Sequence, residues 1–412
     1  MSSPSRQGPL SGVVVLDLSR VLAGPWATQV LADLGAEVIK VERPGAGDDT
    51  RLWGPPFTTQ TSGARGDAAY FMAANRNKRS VTVDMGKPEG AELLRRLAGQ
   101  ADVVVENFKT GGLKKYGLDH ASLSAINPTL VYASITGFGQ DGPLKDKAGY
   151  DYMIQAMGGL MSITGQADGS PGAEPMKVGV AVVDLFTGLY ASNAILAALM
   201  HARATGEGQH VDIALFDVQA AMLANQATNF FVSGKAPGRM GNAHPNLAPY
   251  QPFATTDGAV VVAVGNDGQF RSLCGAVGAP DLGEDSRFLT NALRVEHRGA
   301  LVQALAPLFA VQGTDGWIAT LEAAGVPCGP INTIDRVFAE PQAEHRGLVV
   351  SQERPDLSEA VRTVASPIRL SQTPVAYDRP PPALGADTDE VLAGRLGLST
   401  DEISRLRDGG AI

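Results

Sequence analysis

The chain has 412 residues, of which 44% are hydrophobic and 19% charged, and its formal net charge is −9. These proportions allow a large buried core and exclude a disordered chain, and the length predicts about two or three domains. Two cysteines exclude a disulfide framework and a cysteine-rich zinc module, and an acidic chain without a long basic run is not expected to bind nucleic acid.

Apolar runs are too short to predict a membrane span of about 20 residues. The longest candidate, Val178–Met200, is interrupted by Asp184. The first ten residues are too short and too polar for a signal peptide. We therefore expect a cytoplasmic protein with no membrane association and no bound metal.

The chain begins with a predicted strand, helix and strand. Val13–Leu18 is almost entirely apolar, which is typical of a buried parallel strand. Pro25 suits the first turn of a helix over Trp26–Leu34, and Glu37–Glu42 forms a second short strand. These elements predict a right-handed βαβ unit.

The same alternation continues to about residue 140. Strands are predicted at Ser80–Asp84, Ala101–Glu106 and Leu130–Ile135, with a helix over Pro88–Gly99. This pattern predicts an α/β fold with a parallel sheet, in which ligands bind at the carboxyl ends of the strands.

Helices, strands and Gly- and Pro-rich loops alternate through the rest of the chain. A large unit is predicted over residues 1–224, a smaller α+β unit over 225–330 and a return segment over 331–412. The predicted elements are helices at Tyr150–Met161, Asp184–Ala204 and Phe216–Phe231, a strand at His210–Leu215, a loop over Val232–Pro249, a hairpin at Phe253–Asn266, mostly helix from there to Gly325, and a last helix at Thr388–Leu396.

Gly137–Gly142 fits the pattern G-x-G-x-x-G and follows a predicted strand. A dinucleotide site also needs a helix that starts within the motif. Pro143 and a polar string follow instead. We interpret the motif as a turn-rich loop.

Several basic residues fall at or near the ends of predicted strands, where they could gather to bind a phosphorylated ligand. The alternative is ordinary surface charge, and spacing leaves both interpretations open. These residues are Arg20, Arg43, Lys78, Arg79 and Lys115.

Asp184 is the only acidic residue between Glu174 and Glu207, and its neighbours are apolar. Such surroundings disfavour the charged form of a carboxyl group. Asp184 also stands where a helix begins, so it is either a helix cap, a catalytic group or both. Cys328 and His244 have no local partner that would activate them, and no G-x-S-x-G motif is present.

Five strings together resemble the class III coenzyme A transferases, the family of formyl-CoA transferase, carnitine CoA-transferase and the 2-methylacyl-CoA racemases. The resemblance covers nearly the whole chain. The strings are Val15–Pro25, Leu34–Arg43, Asn77–Ser80, Asp102–Phe108 and Thr205–Gln209.

The resemblance implies a homodimer of two interlocked rings. Each chain would have a Rossmann-like large domain, built from both ends of the sequence, and a smaller α+β domain. Coenzyme A would take part only as a co-substrate, and no other cofactor is expected. The expected partners are an acyl-CoA, a small carboxylic acid and a second copy of the chain.

The resemblance also assigns roles to individual residues. The catalytic aspartate of the family falls on Asp184, whose carboxylate would attack an acyl-CoA thioester and later carry CoA as an aspartyl thioester. The residues implied to contact CoA are Arg20, Val21, Ala23, Arg43, Val83, Asn107, Phe108, Lys115, Thr136 and Phe138.

Two departures distinguish branches of the family. Tyr150 stands where the racemases carry a proton-transferring histidine, so transfer is favoured over racemisation. Gly241, Asn242 and His244 lie in a string that replaces the glycine run of formyl-CoA transferase. We expect these three residues and Tyr150 to face the substrate.

The stretch Tyr150–Tyr190 is similar to transferases that use succinyl-CoA and dicarboxylates such as glutarate. The sequence thus predicts transfer of CoA from succinyl-CoA to a small carboxylic acid. The alternatives are a 2-methylacyl-CoA racemase and a non-catalytic CoA-binding protein.

Overall fold

The computed structural model describes residues 8–412 and forms two compact units. The first unit contains the chain up to Gly159, together with Val178–Ala227 and Pro341–Ile412. The second contains Leu160–Lys177 and Thr228–Glu340.

Strands and α-helices alternate over much of residues 8–412. The strands are β1 (Val14–Asp17), β2 (Glu37–Glu42), β3 (Phe57–Thr59), β4 (Arg65–Ala68), β5 (Lys78–Thr82), β6 (Val103–Glu106), β7 (Val131–Thr136), β8 (Gln209–Ala214), β9 (Tyr250–Ala254), β10 (Ala259–Ala263), β11 (Cys328–Pro330), β12 (Val349–Gln352) and β13 (Val361–Val364). The α-helices are α1 (Ala23–Asp33), α2 (Ala69–Met72), α3 (Pro88–Ala98), α4 (His120–Ile126), α5 (Asp151–Met157), α6 (Leu160–Ile163), α7 (Val182–Thr205), α8 (Leu215–Met222), α9 (Ala224–Ser233), α10 (Asp267–Ala276), α11 (Asn291–Glu296), α12 (Arg298–Phe309), α13 (Thr314–Ala323), α14 (Ile334–Ala339), α15 (Pro341–His345), α16 (Thr388–Leu396) and α17 (Thr400–Asp408).

The first unit is built on a six-stranded parallel sheet with the order β5-β2-β1-β6-β7-β8. The predicted α/β fold with a parallel sheet is therefore confirmed. The chain moves outward from β1 in one direction through β2 and in the other through β6, so the strand order reverses between β1 and β6. Such a reversal leaves a crevice at the carboxyl ends of the two strands, where ligands bind.

Apolar layers cover both faces of the sheet. Val13 and Val15 point to the layer that includes α1 and α7, whereas Val14 and Leu16 point to the layer that includes α3 and α16. Of the predicted return segment, Pro341–Ile412 belongs to this unit and residues 331–340 belong to the second unit. The Asp387 carboxylate accepts a hydrogen bond from the Ser80 backbone N–H at 3.0 Å, which ties the end of the chain to β5.

Helices α1 and α7 pack closely because Gly188 has no side chain. A Cβ atom at this position would lie 2.7 Å from the carbonyl oxygen of Ala23 and 3.1 Å from the Trp26 side chain. By length and composition alone α7 could cross a membrane, but buried core helices pass the same test, and one side of α7 is buried in the core of this unit.

The second unit has its own antiparallel sheet, β11-β10-β9, and its own apolar core. The predicted hairpin is present as β9 and β10. This unit also takes in Leu160–Lys177, which sequence analysis assigns to the first domain. Within the unit, Gly165 bridges Pro175, and Asp168 forms an ion pair with Arg239.

Candidate active site

A cleft of about 730 Å³ opens at the carboxyl ends of β1, β2, β6 and β7 in the first unit. Its volume lies within the range of small-molecule sites. Ten of the residues predicted to contact CoA or substrate line it, together with Asp184. These ten are Arg20, Val21, Ala23, Arg43, Val83, Asn107, Phe108, Lys115, Thr136 and Tyr150.

Hydrogen bonds join the turn after β1 to the turn after β6. The Asn107 side chain accepts a hydrogen bond from the Arg20 backbone N–H at 2.9 Å and donates one to the Arg20 carbonyl oxygen at 2.6 Å. The Arg20 guanidinium lies over the Phe108 ring, 5.5 Å from its centroid. Residues 87 positions apart in sequence thus form one wall of the cleft.

Val21 adopts a left-handed backbone conformation, with φ of 71°, which is unusual for a β-branched residue. Its N–H donates to the Asp48 carboxylate at 3.3 Å. Asp48 in turn accepts from the buried Lys40 ammonium at 2.9 Å. Burial opposes the ionisation of Asp48, but the ion pair with Lys40 and the hydrogen bonds from Thr50 outweigh it and lower the pKa of Asp48 to about 2. The charge that holds the turn therefore persists at neutral pH.

Asp184 is the third residue of α7 and lies partly buried at the cleft. Ala181 occupies the N-cap position, and Asp151 supplies the capping oxygen: its Oδ1 accepts from the N–H of Val183 at 2.8 Å and from that of Asp184 at 3.4 Å. The prediction that the Asp184 side chain caps the helix, alone or together with a catalytic role, is therefore wrong.

Burial and the nearby negative charge of Asp151 raise the pKa of Asp184 to about 7. No cation and no hydrogen bond within the described chain offsets these two effects. The group therefore exchanges between carboxylic acid and carboxylate around neutral pH. Strongly shifted acids in clefts are candidates for catalysis.

Sequence reasoning missed two residues near Asp184. Asp151 lies 33 positions before Asp184 in the sequence. Its only local signal is an acidic residue at the start of a helix with Gln155 four residues later, and the Gln155 amide donates a hydrogen bond to the Asp151 carboxylate at 2.6 Å. Burial and the negative charges of Asp184, Asp151 and Asp48 raise the pKa of Tyr70 to about 12. Tyr70 thus keeps its hydroxyl proton, and no sequence signal marked it.

Four predicted residues are not placed along this cleft. The Phe138 ring packs against Phe216, with ring centroids 5.8 Å apart. Gly241, Asn242 and His244 belong to the second unit. Their contacts with CoA or substrate stay predictions.

Other candidate chemistries find no support in residues 8–412. No group of three or more His, Cys, Asp or Glu side chains in this range could hold a metal ion. Burial and Glu322 raise the pKa of the Cys328 thiol, which disfavours a nucleophilic thiolate. Gly137–Gly142 forms a loop between β7 and α5 without a helix, as predicted.

Comparison with known proteins identifies one family. The model of CoA-transferase family III matches residues 10–388. A succinate–glutarate CoA-transferase from Agrobacterium fabrum is 53% identical over 390 residues, covering 95% of this chain and 96% of that protein. A succinyl-CoA:glutarate CoA-transferase from Homo sapiens is 44% identical over 404 residues, covering 98% of this chain and 90% of that protein.

The fold is also found among solved structures. A CAIB/BAIF family protein from Brucella suis superposes with a TM-score of 0.83 at 50% sequence identity. The match covers 95% of this chain and all of that chain.

Proposed function

This chain belongs to CoA-transferase family III and is a CoA-transferase, and we propose that it moves CoA from succinyl-CoA to a dicarboxylate such as glutarate through a covalent intermediate on Asp184. The names of two similar proteins support this donor and this acceptor. The observation that carries the mechanism is the position of Asp184, a partly buried acid with a pKa of about 7 at a cleft lined by cationic side chains.

The reaction begins with the carboxylate form of Asp184. It attacks the thioester carbonyl of succinyl-CoA and forms a mixed anhydride, and the carbon–sulfur bond breaks to release CoA thiolate. The thiolate then attacks the aspartyl carbonyl of the anhydride. Succinate leaves, and Asp184 carries CoA as a thioester.

The acceptor reverses these steps. A carboxylate of glutarate attacks the aspartyl thioester and again releases CoA thiolate, leaving an aspartyl–glutaryl anhydride. The thiolate attacks the glutaryl carbonyl, which yields glutaryl-CoA and regenerates the Asp184 carboxylate. Protons balance throughout, because every nucleophile and leaving group is an anion.

The cationic rim of the cleft supports CoA as the occupant. Coenzyme A carries several phosphate charges, and Arg20, Arg43 and Lys115 line the cleft near the turns that follow the strands. Guanidinium groups bind phosphate oxygens in pairs, and lysine adds a point charge. We assign these three side chains to the phosphates, and we expect no cofactor besides CoA.

The homodimer remains part of this proposal. Exposed apolar side chains follow one stripe of α7, at Phe186, Leu189, Tyr190 and Met200. Asn193 is the one exposed polar residue on this face between Tyr190 and Met200. A largely apolar stripe on an exposed helix favours contact with another protein surface. We infer that a second copy of the chain covers it. Cytoplasmic localisation also stays a prediction.

Trapping of the aspartyl thioester tests the mechanism. Enzyme incubated with succinyl-CoA and hydroxylamine should lose activity, and mass spectrometry should find the hydroxamate on Asp184. Asp184→Asn should abolish transfer while it still binds CoA, and enzyme treated with hydroxylamine alone serves as the control. Full activity in Asp184→Asn would rule out this nucleophile.

The same preparation distinguishes the alternatives. A 2-methylacyl-CoA racemase would exchange the α-hydrogen of its substrate for deuterium, whereas a transferase leaves it in place. The family and the named relatives already count against the other alternative, a non-catalytic CoA-binding protein.

A further inference from the structure

Glu106 is a buried carboxyl group at the edge of the cleft to which the proposed reaction gives no role. It is the last residue of β6, and Asn107 and Phe108, which follow it, line the cleft. Only 6% of Glu106 is exposed, and within the described chain no cation contributes to its pKa. A buried carboxyl group without a neighbouring cation is stabilised only by its hydrogen bonds. The partners in these bonds therefore indicate the role of Glu106.

One bond holds the turn after β6. Oε2 of Glu106 accepts a hydrogen bond from the Phe108 N–H at 2.8 Å. Asn107 lies between these two residues, and its side-chain amide forms hydrogen bonds with both the backbone N–H and the backbone carbonyl oxygen of Arg20. Since the Phe108 ring lies under the Arg20 guanidinium, the carboxyl group of Glu106 constrains both contacts of Arg20 with this turn.

A second set of contacts fixes Glu106 itself. Ser134, its register partner on β7, lowers the pKa of Glu106 by hydrogen bonding. The Ser134 hydroxyl also contacts Nε2 of His210 at 2.9 Å, and the His210 ring stacks on His120 with centroids 4.9 Å apart. The carboxyl group is therefore fixed by Phe108 in the turn and by Ser134 on the neighbouring strand.

We propose that Glu106 is a positioning residue for CoA binding: its carboxyl group holds the Asn107–Phe108 turn, and through that turn Arg20, in the geometry that receives the coenzyme. This inference rests on the proposed function, because it takes the cleft as the CoA site. Glu106 contacts neither the thioester nor Asp184 in this scheme. It acts on affinity rather than on the chemical step.

Two nearly isosteric substitutions distinguish the effect of the hydrogen bond from the effect of the side-chain volume. Glu106→Gln keeps an oxygen for the Phe108 N–H and places an amide donor near Ser134. Because burial raises the pKa of Glu106 to about 7, the protein already tolerates a neutral group here. Glu106→Met keeps the length of the side chain and has no comparable acceptor.

The experiment measures the Kd of CoA by calorimetry, with KM for succinyl-CoA and kcat at saturating substrate. We expect Glu106→Met to raise Kd and KM roughly tenfold, the effect of losing one buried hydrogen bond, with kcat within about threefold of the wild type. Glu106→Gln should leave both Kd and KM close to their wild-type values. Glu92→Met, on the exposed surface of α3, is the control for the substitution itself.

Arg43→Ala separates failure of this inference from failure of the proposed site. If Arg43→Ala weakens CoA binding and a folded Glu106→Met does not, the positioning role is wrong and the cleft stands. If neither affects Kd, the cleft is not the CoA site. A Glu106→Gln variant that binds as weakly as Glu106→Met would also overturn the role assigned to the acceptor.

Circular dichroism and thermal melting check that each variant folds. Should Glu106→Met fail to fold, Ser134→Ala removes one of the contacts that fix Glu106 and leaves the Phe108 bond. A several-fold rise in the Kd of CoA at unchanged kcat is then expected. An unchanged Kd in folded Ser134→Ala would count against the proposal.

Discussion

The pKa of Asp184 lies near neutral pH because its surroundings oppose its ionisation only in part. Burial and Asp151 raise its pKa, and the dipole at the first turn of α7 favours the negative charge. Asp151 has two effects, since its carboxylate caps α7 and also repels the charge on Asp184. Asp151, which caps the helix that carries the proposed nucleophile, therefore also raises the pKa of that nucleophile.

This arrangement predicts an acid limb in the pH profile of kcat/KM for succinyl-CoA. The attacking form is the carboxylate, so activity should fall as the pH decreases through about 7, the pKa of Asp184. Asp151→Asn keeps an oxygen for the Val183 N–H and removes the negative charge. The limb should then move to lower pH, by up to about one unit.

Two controls assign the limb. Asp119→Asn, ahead of the surface helix α4, should leave it in place. Glu106 has the same pKa of about 7, so Glu106→Gln is the second control. A limb that moves in Glu106→Gln and stays fixed in Asp151→Asn would belong to Glu106, contrary to the prediction.

Single residues differ in how well the sequence predicts them. Asp184 stands out because no other acid lies near it in an apolar run, and Arg20 and Asn107 lie in strings that resemble a family. Tyr70 carries no such signal. Glu106 lies in one of these strings and Asp151 in the stretch Tyr150–Tyr190, but no sequence pattern assigns either residue a role of its own. Their importance depends on neighbours brought close by folding, as Asp151 reaches the start of α7 from 32 residues away.

At the scale of elements, burial explains several of the predictions that succeeded. Strands β1, β6 and β7 are short, largely apolar and fully buried runs, and they were predicted within a few positions. Strands β5 and β8 contain more polar residues and were also predicted within two positions. The hairpins β3–β4 and β12–β13 were missed, because their short strands mix exposed and buried residues and show no clear apolar pattern. The start of α7 was placed two residues late, since its cap comes from Asp151 and not from a local side chain.

The contact between α1 and α7 makes the position of Asp184 depend on Gly188, one helical turn further along. Gly188→Ala would place a Cβ 2.7 Å from the Ala23 carbonyl oxygen, so the two helices must separate. We expect a loss of about 1–3 kcal/mol in the free energy of unfolding and a roughly tenfold lower kcat. Thermal and urea unfolding, together with steady-state kinetics, measure both effects.

Gly394→Ala is the matched control for that substitution. Gly394 lies within α16, and a Cβ there meets no atom within 4 Å. The alanine should therefore stabilise the protein by about 0.5–1 kcal/mol and leave kcat unchanged. Equal effects of the two substitutions would mean that the α1–α7 contact is not tight.

At the scale of the whole molecule, net charge and local charge describe different properties. The chain carries −9 overall, yet its cleft is lined by Arg20, Arg43 and Lys115. The cleft lining contains seven basic and six acidic side chains, so the acidic excess of the chain lies elsewhere and does not repel an anionic ligand at the cleft. Composition alone could not predict this distribution, because the basic residues are spread along the sequence and meet only through the strand order of the sheet.

The apolar stripe of α7 makes a prediction about assembly. Leu189 and Met200 are 42% and 74% exposed, on the helix whose first turn carries Asp184. If a second chain covers this stripe, the wild type should sediment at twice the mass of one chain. Leu189→Glu combined with Met200→Glu should shift it towards the monomer, because buried glutamates without partners oppose association.

A control variant and the effect on activity complete this test of the stripe on α7. Ile126→Glu replaces an apolar side chain that is 51% exposed on α4, outside the stripe, and should leave the sedimenting mass unchanged. Since α7 carries both the stripe and Asp184, loss of the dimer should also lower kcat. A double variant that stays dimeric would show that another surface forms the contact, whereas a wild-type monomer would show that the stripe has no self-associating role.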